Sequence, residues 1–313
     1  MKAGIVGLPN VGKSTLFNCL SNAKAQSANF PFCTIEPNLG VVNVPDPRLE
    51  KLEALVKPER VLPATVEIVD IAGLVRGASE GEGLGNQFLG NVRECHAIIH
   101  VLRCFDNDNI VHVDGSVDPI RDKETIDIEL QLKDLETVEK RLEKVTRAAK
   151  AGDKKAAKEM ELLNRIKEAL LTGVSARAVQ VNDDEKEFLE SFQLLTTKPV
   201  LYVCNVDEKS AKDGNAFVAQ VKEAVKNEEA EVIVLAVATE ADITELESYE
   251  ERKMFLEDIG LEEPGASKLI RAAYHLLNLQ TYFTAGVKEV RAWTIPVGAT
   301  APQAAGVIHS DFE

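Results

Sequence analysis

The sequence predicts an α/β fold: a doubly wound, mainly parallel β-sheet carries an inserted α-helical coiled-coil hairpin and is followed by a partial α+β unit. Short β-branched runs recur along the chain, and the segments between the first four can hold crossover helices. Nearly a hundred residues separate the third run from the fourth, too many for one crossover. After residue 279 a new alternating segment begins. The strand-like runs lie at 2–7, 65–70, 97–102, 199–204 and 231–236.

The composition is that of an ordinary globular protein. Of the 313 residues, 45% are hydrophobic and 28% are charged, which excludes disordered and fibrous classes. The net charge is −15, so the chain as a whole repels nucleic acid. Contact with RNA or a ribosome therefore needs a local basic patch, and we expect no DNA partner.

Neither a membrane helix nor a leader is predicted. The apolar stretches are far shorter than the roughly 18 residues that a membrane helix needs, and the chain runs from Met1 directly into a strand-like segment. We therefore expect a cytoplasmic location and no membrane partner. The cysteines are scattered, which favours reduced core thiols over a zinc site or a disulfide framework. They are Cys19, Cys33, Cys95, Cys104 and Cys204.

The stretch 124–172 carries helical periodicity. Its first half has the apolar spacing of a coiled-coil seam, at Ile128, Leu132, Leu135, Val138, Leu142, Val145 and Ala149. Its second half has a shorter apolar stripe, at Ala156, Met160, Leu163, Ile166 and Leu170. Residues 151–153 interrupt the pattern with a glycine. This arrangement predicts an antiparallel helical hairpin.

The predicted end of the hairpin, residues 140–158, has a charge opposite to that of the whole chain. We call this segment the basic tip. Eight basic residues face two acidic ones, for a net charge of +6 within nineteen residues. Such a run is often only a solvated helix face, but here it is also a candidate surface for RNA or a ribosome. The basic residues are Lys140, Arg141, Lys144, Arg147, Lys150, Lys154, Lys155 and Lys158.

Residues 7–14 match the pattern G-x-x-x-x-G-K-[ST], after a predicted strand and before a helical pattern. In this phosphate-binding loop, or P-loop, backbone N–H groups wrap the α- and β-phosphates at a helix N-terminus. Lys13 is expected to reach the β- and γ-phosphates, and Ser14 to ligate Mg²⁺. The pattern therefore predicts a P-loop NTPase.

A D-x-x-G motif follows the strand at 65–70. Asp70 is expected to hold magnesium, and Gly73 to sense the γ-phosphate. The glycine-rich stretch from 77 to 90 is typical of a switch segment. Thr34, in the turn-rich stretch before this strand, is the candidate for the other switch and a further magnesium ligand. These features favour a switch-type NTPase over a P-loop kinase.

Leu74 follows Gly73, at the position where Ras-like proteins carry the glutamine that orients the attacking water. Leucine cannot orient water. Another group must therefore act, and His112, in a polar loop, is the nearest candidate in the sequence. A lone loop histidine that is merely solvated is the alternative.

The loop after the fourth predicted strand indicates the purine. A guanine site uses N-K-x-D, whereas this chain reads N-V-D-E at 205–208. Glu208 is one methylene too long to replace the missing aspartate, while Asn205 can still pair with a purine N6/N7 edge. Losing a buried bidentate partner forfeits about 10⁴-fold discrimination for guanine. ATP is therefore the predicted nucleotide.

These motifs resemble those of the Obg-like ATPases of the YchF group, within the GTPase superfamily. The resemblance covers the whole chain and implies ATP preference, a hydrophobic residue, Leu74, in place of the catalytic glutamine, and ribosome association. It implies that Ser14 and Thr34 bind Mg²⁺, that Val206 contacts adenine through its backbone, and that His112 takes part in hydrolysis. It assigns phosphate contacts to Asn10, Val11, Gly12, Lys13, Ser14 and Thr15. Potassium-stimulated relatives carry a similar asparagine at the position of Asn10, so K⁺ is a second candidate cofactor.

The expected division is an Obg-type nucleotide-binding domain (1–120 and 197–278), an inserted hairpin (121–196) and the first part of a β-grasp TGS domain (279–313). The leading interpretation is a ribosome-associated ATPase switch with slow intrinsic turnover. A nucleotide-gated RNA- or ribosome-binding module with incidental hydrolysis is one alternative. A conventional GTPase is another.

Overall fold

The structure, a computed structural model, describes residues 1–22, 38–73, 84–246 and 248–313. Nine strands lie in these ranges, numbered here in chain order. They are β1 (Lys2–Val6), β2 (Leu39–Asn43), β3 (Val61–Leu62), β4 (Thr65–Asp70), β5 (Ala97–Arg103), β6 (Val200–Asn205), β7 (Val232–Leu235), β8 (Leu279–Ala285) and β9 (Val290–Pro296).

The helices of the described ranges alternate with the strands of the nucleotide-binding half. They are α1 (Lys13–Asn22), α2 (Pro47–Val56), α3 (Leu84–Glu94), α4 (Pro119–Lys150), α5 (Lys154–Leu171), α6 (Asp183–Phe192), α7 (Ala216–Ala224), α8 (Val237–Glu245), α9 (Tyr249–Asp258), α10 (Gly265–Leu276) and α11 (Ala301–Ile308).

Six strands form the central sheet, in the order β2-β4-β1-β5-β6-β7. All neighbours are parallel except β2, which runs antiparallel to β4 at one edge. Every residue of β5 and β6 is buried, as expected for central strands of a parallel sheet covered on both sides. The predicted mainly parallel α/β fold is confirmed. The short edge strand β2 was not predicted.

Because β1, β4, β5, β6 and β7 are parallel, their carboxyl ends meet at one edge of the sheet. The P-loop follows β1, the D-x-x-G motif follows β4, and the loop of residues 205–208 continues from β6. The topology therefore brings together the motifs that the sequence separates by up to 200 residues.

The insertion begins with the hairpin α4–α5 and continues into α6. Facing pairs, Arg141 with Glu159 and Glu139 with Lys167, give the two long helices an antiparallel arrangement. Gly152 takes a positive φ of 94° in the turn, and the Asp153 side chain caps α5. The hairpin and α6 share an apolar core separate from that of the sheet, which includes Val138, Leu162, Leu163, Ile166, Leu170 and Phe192. The sequence did not predict the third helix.

The predicted coiled-coil seam is wrong at the start of α4. Ile128 and Leu132 are 52% and 44% exposed, whereas Ile126 and Leu130 are buried in the core of the sheet. The reason is that α4 has 32 residues and α5 only 18. The first turns of α4 extend past the end of α5 and pack on β5 and α7, so a different stripe is buried there.

The C-terminal unit shares a sheet with the nucleotide-binding half. The second sheet has the order β3-β9-β8, in which β3 is parallel and β8 antiparallel to β9. The boundary expected at residue 279 therefore separates β3 from its only pairing partner in the described chain. The expected alternating segment forms β9, and the Ala-rich stretch forms α11.

Two compositional expectations can be compared with the described chain. Cys19, Cys95, Cys104 and Cys204 are buried free thiols, as expected, while Cys33 lies outside the described residues. Within the described ranges, none of the helices has both the length and the apolar character required to cross a bilayer.

Candidate nucleotide-binding site

The P-loop takes a conformation that requires glycine at its two motif positions. A Cβ on Gly7 would lie 2.6 Å from the carbonyl oxygen of Val101. Gly12 has a φ of +101°, and a Cβ there would lie 2.5 Å from Nδ2 of Asn205. Both neighbours are too close for any side chain. The loop ends at Lys13, the first residue of α1, so the helix N-terminus and its free N–H groups open at this edge of the sheet.

Lys13 is buried at the centre of the site. Its Nζ donates to the Leu8 carbonyl at 2.7 Å. Burial lowers the pKa of Lys13 to about 8, and the Asp70 carboxylate opposes that shift. Gly73 lies beside it, since a Cβ on Gly73 would be 3.1 Å from this ammonium and 3.3 Å from Pro9. The structure thus joins the P-loop lysine and the D-x-x-G glycine that the sequence separated.

Ser14 and Asp70 are already paired. The Ser14 Oγ donates to Oδ2 of Asp70 at 3.0 Å, while Oδ1 of Asp70 is buried without a hydrogen-bond partner among the described residues. Burial raises the pKa of Asp70, against the opposing effects of the Ser14 hydroxyl and the Lys13 charge. A buried carboxylate oxygen without a donor, next to a hydroxyl, fits a hard divalent cation such as Mg²⁺.

Asn205 has a structural role that was not predicted. Its Nδ2 donates to the Val11 carbonyl at 2.9 Å, and its Oδ1 accepts from the Val237 N–H at 3.0 Å. The buried side chain therefore braces the P-loop against the start of α8. Each of these bonds uses one of the two N–H donors and one of the two oxygen lone pairs of the amide, so pairing with a purine edge stays a prediction.

The rest of the predicted base loop runs from one buried residue to two exposed ones. Val206 is buried, and its N–H donates to the Leu235 carbonyl at 2.9 Å. The Asp207 side chain accepts from the Ser210 N–H and caps a short 3-10 turn. Glu208 is exposed in the first position of that turn. Asp207 is thus committed to shaping the loop.

His112 lies in a loop that contacts the P-loop. Asn10 has a positive φ of 62°, and its Nδ2 donates to the carbonyl of Val111 at 3.1 Å. The imidazole of His112 is buried and pairs with Asp122 at 2.8 Å, from Nε2 to Oδ2. The alternative, a lone loop histidine that is merely solvated, is therefore wrong.

Three predicted features fall outside the described residues: Thr34, Leu74 and most of the glycine-rich stretch. Their roles remain predictions. Thr15 is exposed in the first turn of α1, next to Ser14.

Comparison with known proteins identifies the family. A family model described as "50S ribosome-binding GTPase" matches residues 2–145. A model of the YchF GTPase C-terminal region, described as "Protein of unknown function (DUF933)", matches residues 279–313. The protein named ribosome-binding ATPase YchF from Escherichia coli O157:H7 is 57% identical over 312 residues, covering 100% of this chain and 85% of the relative. The chain belongs to the YchF family.

Two further relatives agree with this assignment. The protein of the same name from Bacillus subtilis (strain 168) is 54% identical over 315 residues, covering 100% of this chain and 86% of its own. The structure described as the Schizosaccharomyces pombe YchF GTPase is 40% identical and superposes with a TM-score of 0.89, covering 100% of this chain and 85% of that one. The family fold is thus shared over the whole chain.

Sequence reasoning missed two residues that shape this YchF-family site. Arg103, at the end of β5, is 2% exposed and donates to the carbonyls of Phe105, Asn107 and Ile110. It therefore fixes the start of the loop that carries His112. Asp122 is the second, and its only signal in the sequence is an acidic residue in the first turn of a helix, which is common.

Replacing Asn205 by alanine tests its bracing role. We expect a loss of about 2–3 kcal/mol in the free energy of unfolding, because two buried backbone groups lose their partners. We also expect a rise of at least tenfold in the Kd for ATP, since the P-loop loses its brace. Denaturant unfolding and calorimetry measure the two effects.

Asn215 offers a matched control for this substitution. Its amide also makes two protein contacts, to the Cys104 carbonyl at 2.7 Å and from the Val218 N–H at 3.1 Å, but outside the P-loop. Asn215→Ala should lower stability comparably and leave the Kd for ATP unchanged. Equal losses of affinity in both variants would contradict the bracing role.

Proposed function

We propose that this chain is a ribosome-associated ATPase that hydrolyses ATP to ADP and phosphate, depends on Mg²⁺ and prefers ATP over GTP. The observation that carries this proposal is the cluster of Lys13, Gly73 and the Ser14–Asp70 pair at the carboxyl edge of the parallel sheet. Its YchF relatives from E. coli and B. subtilis are named ribosome-binding ATPases.

The P-loop supplies the phosphate site. Backbone N–H groups of residues 10–15 face the α- and β-phosphates at the start of α1, where the helix dipole favours negative charge. On binding, Lys13 exchanges its hydrogen bond with Leu8 for the β- and γ-phosphate oxygens. The phosphate charge favours the protonated ammonium and so offsets the effect of burial on its pKa.

Ser14, Asp70 and Thr34 are the proposed magnesium-holding residues. When bound, Mg²⁺ supplies neutralisation of the charge on the β- and γ-phosphate oxygens. The Ser14 hydroxyl and the buried Oδ1 of Asp70 would hold the ion. The Gly73 N–H is the proposed hydrogen-bond donor to the γ-phosphate, so this bond is present only while the γ-phosphate is bound.

Hydrolysis requires a water aligned for in-line attack on the γ-phosphate. Leu74 cannot orient that water, so we assign the role to His112. Both of its ring nitrogens are hydrogen-bonded to the protein in this structure, to Asp122 and to the Asp114 N–H, which supports a slow intrinsic rate. The same observation favours one alternative: a nucleotide-gated binding module in which hydrolysis is incidental.

Adenine selectivity is proposed to come from the loop of residues 205–208. Val206 and Glu208 replace the lysine and aspartate of a guanine site, and Asp207 caps its own turn. The Val206 N–H already donates to Leu235, so the proposed adenine contacts are the Val206 carbonyl, the remaining N–H of the Asn205 amide and the neighbourhood of Glu208. The S. pombe relative is described as a GTPase, so the purine choice needs a direct test.

The basic tip is the proposed surface for ribosomal RNA, with the C-terminal unit as a second contact in the cytoplasm. Seven of its cations are exposed: Lys140, Lys144, Arg147, Lys150, Lys154, Lys155 and Lys158. Among the described residues, two of these seven form ion pairs: Lys140 with Glu136, and Lys158 with Asp184 at a long 3.5 Å. These charges are therefore available to phosphates.

Charge reversal of the basic tip should weaken ribosome binding. We expect a combined Lys144→Glu, Arg147→Glu, Lys154→Glu and Lys155→Glu variant to lose most cosedimentation with ribosomes at low salt, because its phosphate contacts become repulsive. A control variant reverses four exposed lysines elsewhere: Lys51, Lys209, Lys222 and Lys253. If both variants cosediment like the wild type, the basic tip is only a solvated face.

Phosphate release from MgATP, measured with and without purified ribosomes, tests the function as a whole. We expect a slow basal rate that ribosomes increase, and a His112→Ala variant that loses the increase. Ribosome binding that depends on ATP, with a rate that neither ribosomes nor His112→Ala changes, would favour the binding module instead.

Potassium is a proposed second cofactor. Asn10 uses its amide nitrogen on Val111, which leaves its amide oxygen as the group that can face a monovalent cation next to the phosphates. Equal hydrolysis rates in K⁺ and Na⁺ would remove this part of the proposal.

A further inference from the structure

The loop of residues 104–118, which we call the bridging loop, connects the nucleotide site to the insertion. Near the site, its Val111 carbonyl accepts from the Asn10 side chain of the P-loop at 3.1 Å. At its start, Arg103 donates to the Ile110 carbonyl at 2.9 Å. The next residue in the loop after Val111, His112, pairs with Asp122 in the first turn of α4. A movement of α4 is therefore transmitted to a residue adjacent to the P-loop contact.

The two hydrogen bonds of the imidazole define its state. The Asp114 N–H donates to Nδ1 of His112 at 3.1 Å, so this nitrogen is an acceptor. In the neutral ring the proton is then on Nε2, which donates to Oδ2 of Asp122 at 2.8 Å. The side chains of His112 and Asp122 are 4% and 2% exposed. Neither ring nitrogen is left to accept a proton from water or to orient it.

We propose that Asp122 is a positioning residue that holds His112 in a retracted orientation, and that His112 must leave Asp122 before ATP is hydrolysed. The proposal rests on the hydrolytic role assigned to His112 above. The carboxylate acts only through the imidazole. It sets which ring nitrogen carries the proton and keeps that N–H directed at the first turn of α4.

The position of Asp122 links this pair to the insertion. Asp122 belongs to the first turn of α4, which continues unbroken to Lys150 in the basic tip, a length of about 48 Å at 1.5 Å per residue over 32 residues. A partner that binds the basic tip and displaces α4 would therefore change the contact between Asp122 and His112. This gives a physical route from ribosome binding to hydrolysis.

Metal binding is the other chemistry that the side chains around His112 offer. Single ligand atoms of His112, Asp114 and Asp122 lie within 4.8 Å of one another. However, the Arg121 guanidinium already lies 3.5 Å from Oδ2 of Asp114 and 3.4 Å from Oδ1 of Asp122. A cation would have to displace or face this fixed positive charge, so the geometry favours the positioning role.

Steady-state kinetics of the full chain with MgATP tests the proposal. We expect Asp122→Ala to raise the basal kcat about tenfold at an unchanged KM. The retracted orientation of His112 would lose one hydrogen bond to a charged group, which shifts the balance between the retracted and released orientations by about that factor. Asp122→Asn, which keeps an acceptor oxygen, should give a smaller rise. The Asp122→Ala effect should vanish in a His112→Ala background, which a purely structural effect would not do.

Asp118 is the matched control. It caps the same turn of α4, accepting from the N–H groups of Ile120 and Arg121, but does not contact His112. Asp118→Ala should therefore leave the basal kcat unchanged. A folded Asp122→Ala variant with an unchanged or lower kcat overturns the proposal. If His112→Ala alone hydrolyses ATP like the wild type, the assigned role of His112 fails, and this inference fails with it.

A second measurement does not depend on the variants. The chain has five histidines, so the imidazole signals can be assigned by NMR. In the nucleotide-free wild type we expect a protonated Nε2 on His112 that exchanges slowly with solvent. With Mg²⁺, ADP and aluminium fluoride, a transition-state mimic, that proton should exchange rapidly. A proton that remains protected with the mimic bound would overturn the proposal.

Discussion

Replacing Lys13 by methionine is expected to lower kcat for ATP about 10²–10³-fold, the usual cost of removing one preorganised charge from a transition state. Methionine has a similar length and removes a charge that burial disfavours, which offsets the loss of the hydrogen bond to Leu8, so the free energy of unfolding should change little. The ammonium now bound to Leu8 is the lysine head group beside Gly73. Phosphate release and thermal unfolding measure the two effects.

Lys198→Met is the matched control for this substitution. Lys198 is also half-buried, donates its ammonium to main-chain carbonyls of Arg93 and Cys95, and has a pKa lowered by burial. It precedes β6, at the opposite edge of the sheet from the site. The control should keep kcat. A Lys13→Met variant with wild-type kcat would mean that this edge of the sheet is not the catalytic site.

Asp70→Asn is expected to lower kcat about 10²–10³-fold at ordinary Mg²⁺ concentrations. Asparagine keeps an oxygen for the Ser14 hydroxyl but removes the charge next to the buried, unpartnered Oδ1. We therefore expect the Mg²⁺ concentration for half-maximal activity to rise strongly. Binding of ATP without Mg²⁺ should not weaken, because a negative charge near the phosphates is gone. Magnesium titrations of both chains measure this shift.

Asp46→Asn controls for the loss of a carboxylate. Asp46 caps α2 and pairs with Arg48 near the surface; asparagine is an equally good cap, so stability should fall by at most about 1 kcal/mol and the magnesium dependence should not change. The same magnesium dependence in Asp70→Asn and the wild type would exclude Asp70 from the cation site.

The central sheet and the phosphate site could be predicted because their signals are local. The parallel strands β1, β5, β6 and β7 are mostly apolar runs, and the P-loop is a contiguous motif with glycine where the backbone requires it, as at Gly12 with its φ of +101°. The Ser14–Asp70 pair spans 56 residues, yet it follows from two motifs with known positions after parallel strands. Local pattern and topology together were sufficient there.

Long-range contacts determine what the sequence could not show. Strand β3 has two residues, too few for a pattern, and forms only because β9 lies next to it. The buried apolar stripe of α4 changes along the helix, because its packing partner changes from the sheet to α5. A heptad pattern in the sequence does not reveal such a change of partner. The sequence placed Asn205 and His112 near the site but did not show their partners. Val237 lies 32 residues from Asn205, and Asp122, only 10 residues from His112, carries no signal beyond an acidic residue at a helix start.

The purine preference is the central claim, and calorimetric titration of nucleotide-free protein with ATP and with GTP, in Mg²⁺ buffer, tests it most directly. The loop at 205–208 lacks the aspartate that pairs with guanine, so we expect ATP to bind at least tenfold more tightly than GTP. Tighter binding of GTP would contradict the assignment of this loop and indicate a conventional GTPase.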